Sequence, residues 1–285
     1  MKMLLRALAL LLALMTPLLC GAEDWEEEWF FVDLSGEELA SYNAVMWDFP
    51  VALEAMDPEL VVMINKSMFL DKSYVPDGLV KMKSLKLDKQ GNNQNGGVRQ
   101  VDGTWQLRGE CAQALVALCD AARAEGHELY LKSGYRSYYK QAVMYENRIK
   151  KYGYDDGWVT KPGSSDHQTG LGCDVVPKKW TDRGMNSDMA KEPETQWMAV
   201  NCARFGFILR YPEDKEDITK INYEPWHLRY VGVEVATYIM DNGLCLEEFY
   251  DQLMAAIDDF IVGGGDKSLV EDFIQVSAKD YYSKY

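Results

Sequence analysis

The chain has 285 residues, of which 47 % are hydrophobic, 12 % aromatic and 26 % charged, and it carries a formal net charge of −15. That composition is ample for a packed core and excludes a disordered chain, and the length sets one sizeable domain with extensions. So acidic a surface repels phosphate backbones and anionic headgroups, which excludes nucleic acid as a partner and electrostatic docking on lipid.

Residues 1–22 read as an export signal: Lys2 and Arg6 make a positive start, Leu4 to Leu14 form an apolar run, and Pro17 breaks it before Cys20-Gly21-Ala22. The run falls short of the roughly 20 residues that cross a bilayer, so cleavage after Ala22 is expected. An extracellular or cell-envelope location follows. Left uncleaved, the same segment becomes a membrane tether; lipidation of Cys20 is disfavoured by the size of Leu19 before it. Loss of Lys2 and Arg6 takes the charge from −15 to −17.

Residues 23–58 form an acidic, aromatic extension (D-W-E-E-E-W-F-F) with an amphipathic stretch from Glu37 to Trp47. A catalytic domain is assigned to 59–250 and a helical C-terminal extension to 251–285. Gly91 to Gly97 is a polar surface loop. Apolar spacing predicts a helix over Arg108–Glu125 (Leu115, Leu118, Ala122), stopped by Gly126, then a strand over His127–Lys132 that delivers S-G-Y-R-S. Further helices are predicted at Tyr138–Tyr152, Glu194–Phe205, Val233–Asp241, Leu246–Phe260 and Leu269–Ala278, the last after a Gly263–Gly265 break. Strands are predicted at Gly170–Val176, Phe207–Arg210 and His227–Tyr230. The mixture lacks regular alternation, so the class is α+β.

Cleavage of the signal leaves Cys111, Cys119, Cys173, Cys202 and Cys245, an odd set at irregular spacing that is no disulfide framework, although one or two bridges remain open. Cys111 and Cys119 share a helical face two turns apart, too far for a mutual bond, and read as small buried hydrophobes.

Two of the chain's three histidines carry the chemistry. His167 lies in S-D-H-Q-T-G-L-G-C-D and His227 ends E-P-W-H, so His167, Asp174 and His227 offer three N/O ligands with no fourth, the inventory of a hydrolytic zinc with a position open to water. Gly170 and Gly172 permit a tight turn into the strand carrying Asp174, and alternation points Cys173 away from the metal. Glu224, three residues before His227, suits the general acid/base that takes a proton from water and returns it to a leaving amine. Arg136 suits a fixed cation facing a developing oxyanion. Ser165 is a candidate donor to a substrate carboxylate, or else a turn cap. Gln141 and the aromatics Tyr135, Tyr138, Tyr223 and Trp226 are candidate cleft linings. His127 reads as a partly buried, hydrogen-bonded histidine.

S-G-Y-R-S, S-x-H-x-x-G-x-[AG]-x-D and E-x-W-H, in that order, resemble the zinc D-alanyl-D-alanine carboxypeptidases of the VanY type, in the group that shares a fold with the hedgehog signalling domain. N-K-S-M-F-L-D-K-S-Y-V-P-D-G-L-V resembles that family's opening segment, and the likeness runs from Glu59 to Tyr250. It implies a small antiparallel sheet flanked by helices, zinc on His167, Asp174 and His227, and Glu224 as catalytic base. It also implies Arg136 on the scissile carbonyl and Ser165 on the terminal carboxylate. Gly172 stands where the family commonly has alanine, a change between two small residues. The expected activity is removal of the terminal D-alanine from peptidoglycan stem peptides by a monomer. An L,D-carboxypeptidase on tetrapeptide stems, an endopeptidase and a non-catalytic zinc module are the alternatives.

Overall fold

Residues 46–278 are described in a computed structural model; the expected export signal and the extension as far as residue 45 lie outside the described residues. In chain order the strands are β1 (Leu79–Lys81), β2 (Arg99–Gln100), β3 (Gln106–Arg108), β4 (Leu129–Ser133), β5 (Gly172–Pro177), β6 (Phe207–Leu209) and β7 (His227–Tyr230). The helices are α1 (Gly109–Ala124), α2 (Tyr138–Tyr152), α3 (Pro193–Asn201), α4 (Glu216–Thr219), α5 (Val233–Asp241), α6 (Leu246–Val262) and α7 (Glu271–Ala278).

The central sheet runs β2-β4-β5-β7-β6, and β1 pairs with β3 beside it. Its four inner and far strands pair antiparallel, as expected, but the short edge strand β2 joins β4 in parallel, so the sheet is mixed. The register sets Ser133 opposite Asp174 and Asp174 opposite His227, across three adjacent strands. A shift between Leu131 and Ser133 inserts one extra residue, Lys132, into β4, and such a bulge bends a strand at its end.

Alternation then divides the two faces. Leu129, Leu131, Cys173, Val175, Phe207 and Leu228 point to one side and bury against α1 through Cys111, Leu115, Leu118, Cys119 and Ala122. The opposite face carries Asp174 and His227. Beside them, Tyr130, Val176, Trp180, Met185, Met189 and Trp226 cluster where residues 178–192 fold over the sheet. A further core joins α5 and α6 to Val51, Met56, Val61 and Met63.

Helix α6 buries Leu246, Phe249, Leu253, Ile257 and Phe260 at three- and four-residue spacing and starts with a capping box between Cys245 and Glu248. It runs through residue 250 without a break. Helix α2 buries only Gln141; it holds its ends with Ser137 as N-cap and Gly153 in the left-handed region. All five cysteines of the described residues are free and buried, so no bridge forms there. His127 is half-buried beside the Trp197 ring. Among the described residues no helix is long and apolar enough to cross a membrane.

Candidate metal centre

His167 sits in a short 3-10 turn, Asp166–Thr169, that leads into β5. Its Nδ1 donates to the Gly134 carbonyl at 2.8 Å, which fixes the tautomer and leaves the Nε2 lone pair facing Asp174 Oδ1 at 3.4 Å. Gly134 must be glycine, because a Cβ there would lie 2.6 Å from the Gln106 carbonyl oxygen. From the neighbouring strand His227 presents Nδ1 to the same Asp174 oxygen at 3.2 Å. The three donor atoms lie within 4.8 Å of one another, and all three residues are buried.

Asp174 Oδ1 is buried with no hydrogen-bond donor, although two imidazole nitrogens point at it. A buried carboxylate oxygen so placed calls for a cation. The donor set of two nitrogens and one oxygen fits a divalent transition metal with coordination positions left for substrate and water.

Electrostatics agree with that fit. Burial opposes the Asp174 charge, but the facing histidines hold its carboxyl well below the usual carboxylate range. Burial, with Arg136 nearby, pushes His167 down to about 4. Burial also works against a charged His227, yet its contacts with Asp174 and Glu224 raise it to about 10. Ligation requires both imidazole nitrogens that face Asp174 to be free of protons, so metal affinity at this centre falls as the pH is lowered.

Glu224 reaches the cluster through a tight turn: its N–H donates to the Tyr211 carbonyl, and the His227 N–H donates back to the Glu224 carbonyl. Its Oε2 lies 3.4 Å from His227 Nδ1, and burial raises its carboxyl above the ordinary value. Arg136, just past the β4 bulge, is held at both ends. Its backbone N–H donates to the His167 carbonyl at 3.0 Å, while its guanidinium donates to Gln141 Oε1 at 2.8 Å and Ser133 Oγ at 3.1 Å and stands 3.9 Å from Asp174 Oδ2.

These groups line a cavity of about 370 Å³. Ser165 and Trp226 lie on its wall, and Trp226 stacks on Trp158 at 6.1 Å. Gln141 is there too, and its amide is held on both sides: besides accepting from Arg136 it donates to the Thr160 carbonyl and hydroxyl. Tyr135, Tyr138 and Tyr223 are not part of the lining. Tyr135 is turned by the strand end, its N–H donating to the Gln106 carbonyl. Met185, Asn186 and Tyr211 line the cavity without any local sequence signal, since their placement depends on loops that fold back over the sheet. Gly172 also matters more than its size suggests, because a Cβ there would lie 2.9 Å from the Asp166 Cβ.

Residues 104–233 match the family model of the VanY D-alanyl-D-alanine carboxypeptidases. Over 200 residues the chain is 38 % identical to the protein named "Putative carboxypeptidase YodJ" of Bacillus subtilis strain 168, covering 69 % of both chains. The chain belongs to the VanY family. A D-alanyl-D-alanine carboxypeptidase of Enterococcus faecalis is 42 % identical over 143 residues, which are 46 % of this chain and 51 % of that one. Among solved structures, the LdcB LD-carboxypeptidase superposes with a TM-score of 0.58 at 34 % identity, over 73 % of this chain and 98 % of that one. The vancomycin-resistance D,D-pentapeptidase VanY, solved with Zn(II), gives 0.51 at 32 % identity over 67 % and 98 %. The α+β fold and the buried His-Asp-His triad are thus those of a metal-dependent carboxypeptidase family.

Proposed function

We propose that the chain is an exported zinc carboxypeptidase that removes the terminal D-alanine from D-alanyl-D-alanine ends of peptidoglycan stem peptides. The observation that carries this reading is the buried Glu224 carboxylate beside the His167–Asp174–His227 triad, in one cavity with the fixed guanidinium of Arg136. The zinc and the substrate class are argued from the VanY relatives that bind Zn(II) and D-alanyl-D-alanine. Export is argued from Lys2, Arg6 and the Leu4–Leu14 run.

His167, Asp174 and His227 would hold the ion, which would supply Lewis acidity toward a water and a carbonyl oxygen. Glu224, its basicity increased by burial, accepts the proton of the attacking water and passes it to the leaving amine. Arg136, held by Gln141 and Ser133, faces the negative charge that develops on the scissile carbonyl oxygen. Ser165 donates to the substrate's terminal carboxylate, and Trp226 with Trp158 walls the cavity against water.

A second reading, L,D-carboxypeptidase action on tetrapeptide stems, is favoured by the superposition on LdcB. Muropeptides ending in D-Ala-D-Ala or in L-Lys-D-Ala, incubated with the purified chain and read by mass spectrometry, decide between them. Loss of one alanine from the pentapeptide alone is the expected result; loss from the tetrapeptide alone establishes the second reading, and no loss from either ends both. Glu224→Gln is expected to lower turnover about 10²- to 10⁴-fold while zinc stays stoichiometric.

A further inference from the structure

Behind the metal centre lies a group of four charged side chains: Asp166, Arg210, Arg229 and Glu247. Asp166, Arg210 and Arg229 have no solvent-exposed surface, and Glu247 is 9 % exposed. Arg210 donates from Nε to Asp166 Oδ2 at 2.6 Å and from its two terminal nitrogens to both Glu247 oxygens at 2.7 Å, with Nη2 also reaching the Ile64 carbonyl at 3.1 Å. Arg229 donates to the other Asp166 oxygen, to the Leu60 and Val62 carbonyls at 2.9 Å and to the Tyr230 carbonyl at 3.1 Å. The cluster is neutral, and its guanidinium donors and carboxylate oxygens are matched. That is the condition under which buried charges hold a geometry rather than loosen it.

Both metal histidines are attached to this cluster. Asp166 immediately precedes His167 in the 3-10 turn, so its two arginines fix the turn that aims the His167 ring. On the other side the Arg210 backbone N–H donates to the His227 carbonyl at 3.1 Å. The Arg210 guanidinium lies 4.8 Å over the Tyr211 ring, which packs 5.0 Å from the His227 ring. Glu247 brings the first turn of α6 onto Arg210, outside the stretch that matches the family model.

We propose that Arg210 and Glu247 are positioning residues of the metal centre, tying helix α6 to the orientation of His167 and His227. The inference rests on the zinc reading above. It is tested by titrating the metal-free full chain with zinc against a chromophoric chelator, alongside its Tm without metal. Glu247→Gln, nearly isosteric and still able to accept one guanidinium bond, is expected to weaken zinc binding about tenfold or more. Arg210→Lys keeps the charge but cannot reach Asp166 and both Glu247 oxygens at once, and gives the same loss.

Leu253→Ala, in the buried face of the same helix, lowers Tm through packing alone and leaves zinc affinity unchanged. If Glu247→Gln and Arg210→Lys behave like Leu253→Ala, with Tm lowered and zinc affinity kept, the cluster is a fold brace only and the proposal is overturned. A parent chain that does not bind zinc at all sinks the zinc reading instead.

Discussion

Arg136 has one geometry because Gln141 has one. The Gln141 side chain is buried, gives its oxygen to Arg136 and its amide protons to Thr160, and so is held in place by partners on both sides. Gln141→Ala removes the acceptor and leaves a small void, freeing the guanidinium to leave its place over the cavity. Since a displacement of about 1 Å can cost about a hundredfold in rate, kcat is expected to fall roughly ten- to hundredfold with little change in KM. A rise in KM at constant kcat would instead mark Gln141 as a substrate contact. This support was not legible in the sequence, where Gln141 is one polar residue on a polar helix; its partners come from Arg136, five residues earlier, and Thr160, on a distant loop. The triad and Glu224 were legible as residue types within two short motifs, whereas their meeting depends on the pairing of β5 with β7 and on the Gly134 and Tyr211 carbonyls.

At the scale of elements, the β4 bulge has its own consequence. Lys132, the extra residue, directs its ammonium to the carbonyls of Trp180, Thr181 and Arg183, at 2.7, 3.1 and 2.5 Å. Those three bonds latch the segment that carries Met185 and Asn186 to the cavity wall. Lys132→Met keeps the aliphatic stem and removes all three. Hydrogen bonds to a charged group contribute about 1.5–3 kcal/mol when well formed, and partial exposure of this lysine puts the loss at the lower end. The expected outcome is a several-fold rise in KM with kcat nearly constant, and faster proteolysis between Thr181 and Asn186; an unchanged KM would separate this segment from substrate binding. Neither the bulge nor the latch is visible in a hydrophobic pattern. Long elements such as α1, β5 and α6 declare themselves by periodicity over several turns or alternations. The two residues of β2 have no period, and their parallel pairing with β4 depends on a loop, so nothing in the pattern corrects the antiparallel sheet that the family resemblance implies.

For the whole molecule, the question is whether the part that resembles the family can stand alone. The matched stretch ends at Val233, before α6 begins. Yet Leu246, Phe249, Leu253, Ile257 and Phe260 are each 5 % exposed or less, and they share a core with Val51, Met56 and Ile208 of β6. Full burial of a large apolar side chain contributes about 1.5–3 kcal/mol, so five of them supply roughly 8–15 kcal/mol. That is comparable with the entire net stability of a typical domain, about 5–15 kcal/mol. A chain ending at Leu244 therefore loses its cooperative thermal transition, and loses stoichiometric zinc along with the Glu247 contact to Arg210. A chain ending at Gly265 keeps α6 and gives up the buried Val270 and Phe273, which lowers Tm but leaves the transition and the zinc in place. Calorimetry of the two truncations distinguishes a brace that the fold requires from an appendage it can lose. A sharp transition in the shorter chain would show that β6 and β7 hold the site without the helix that covers them.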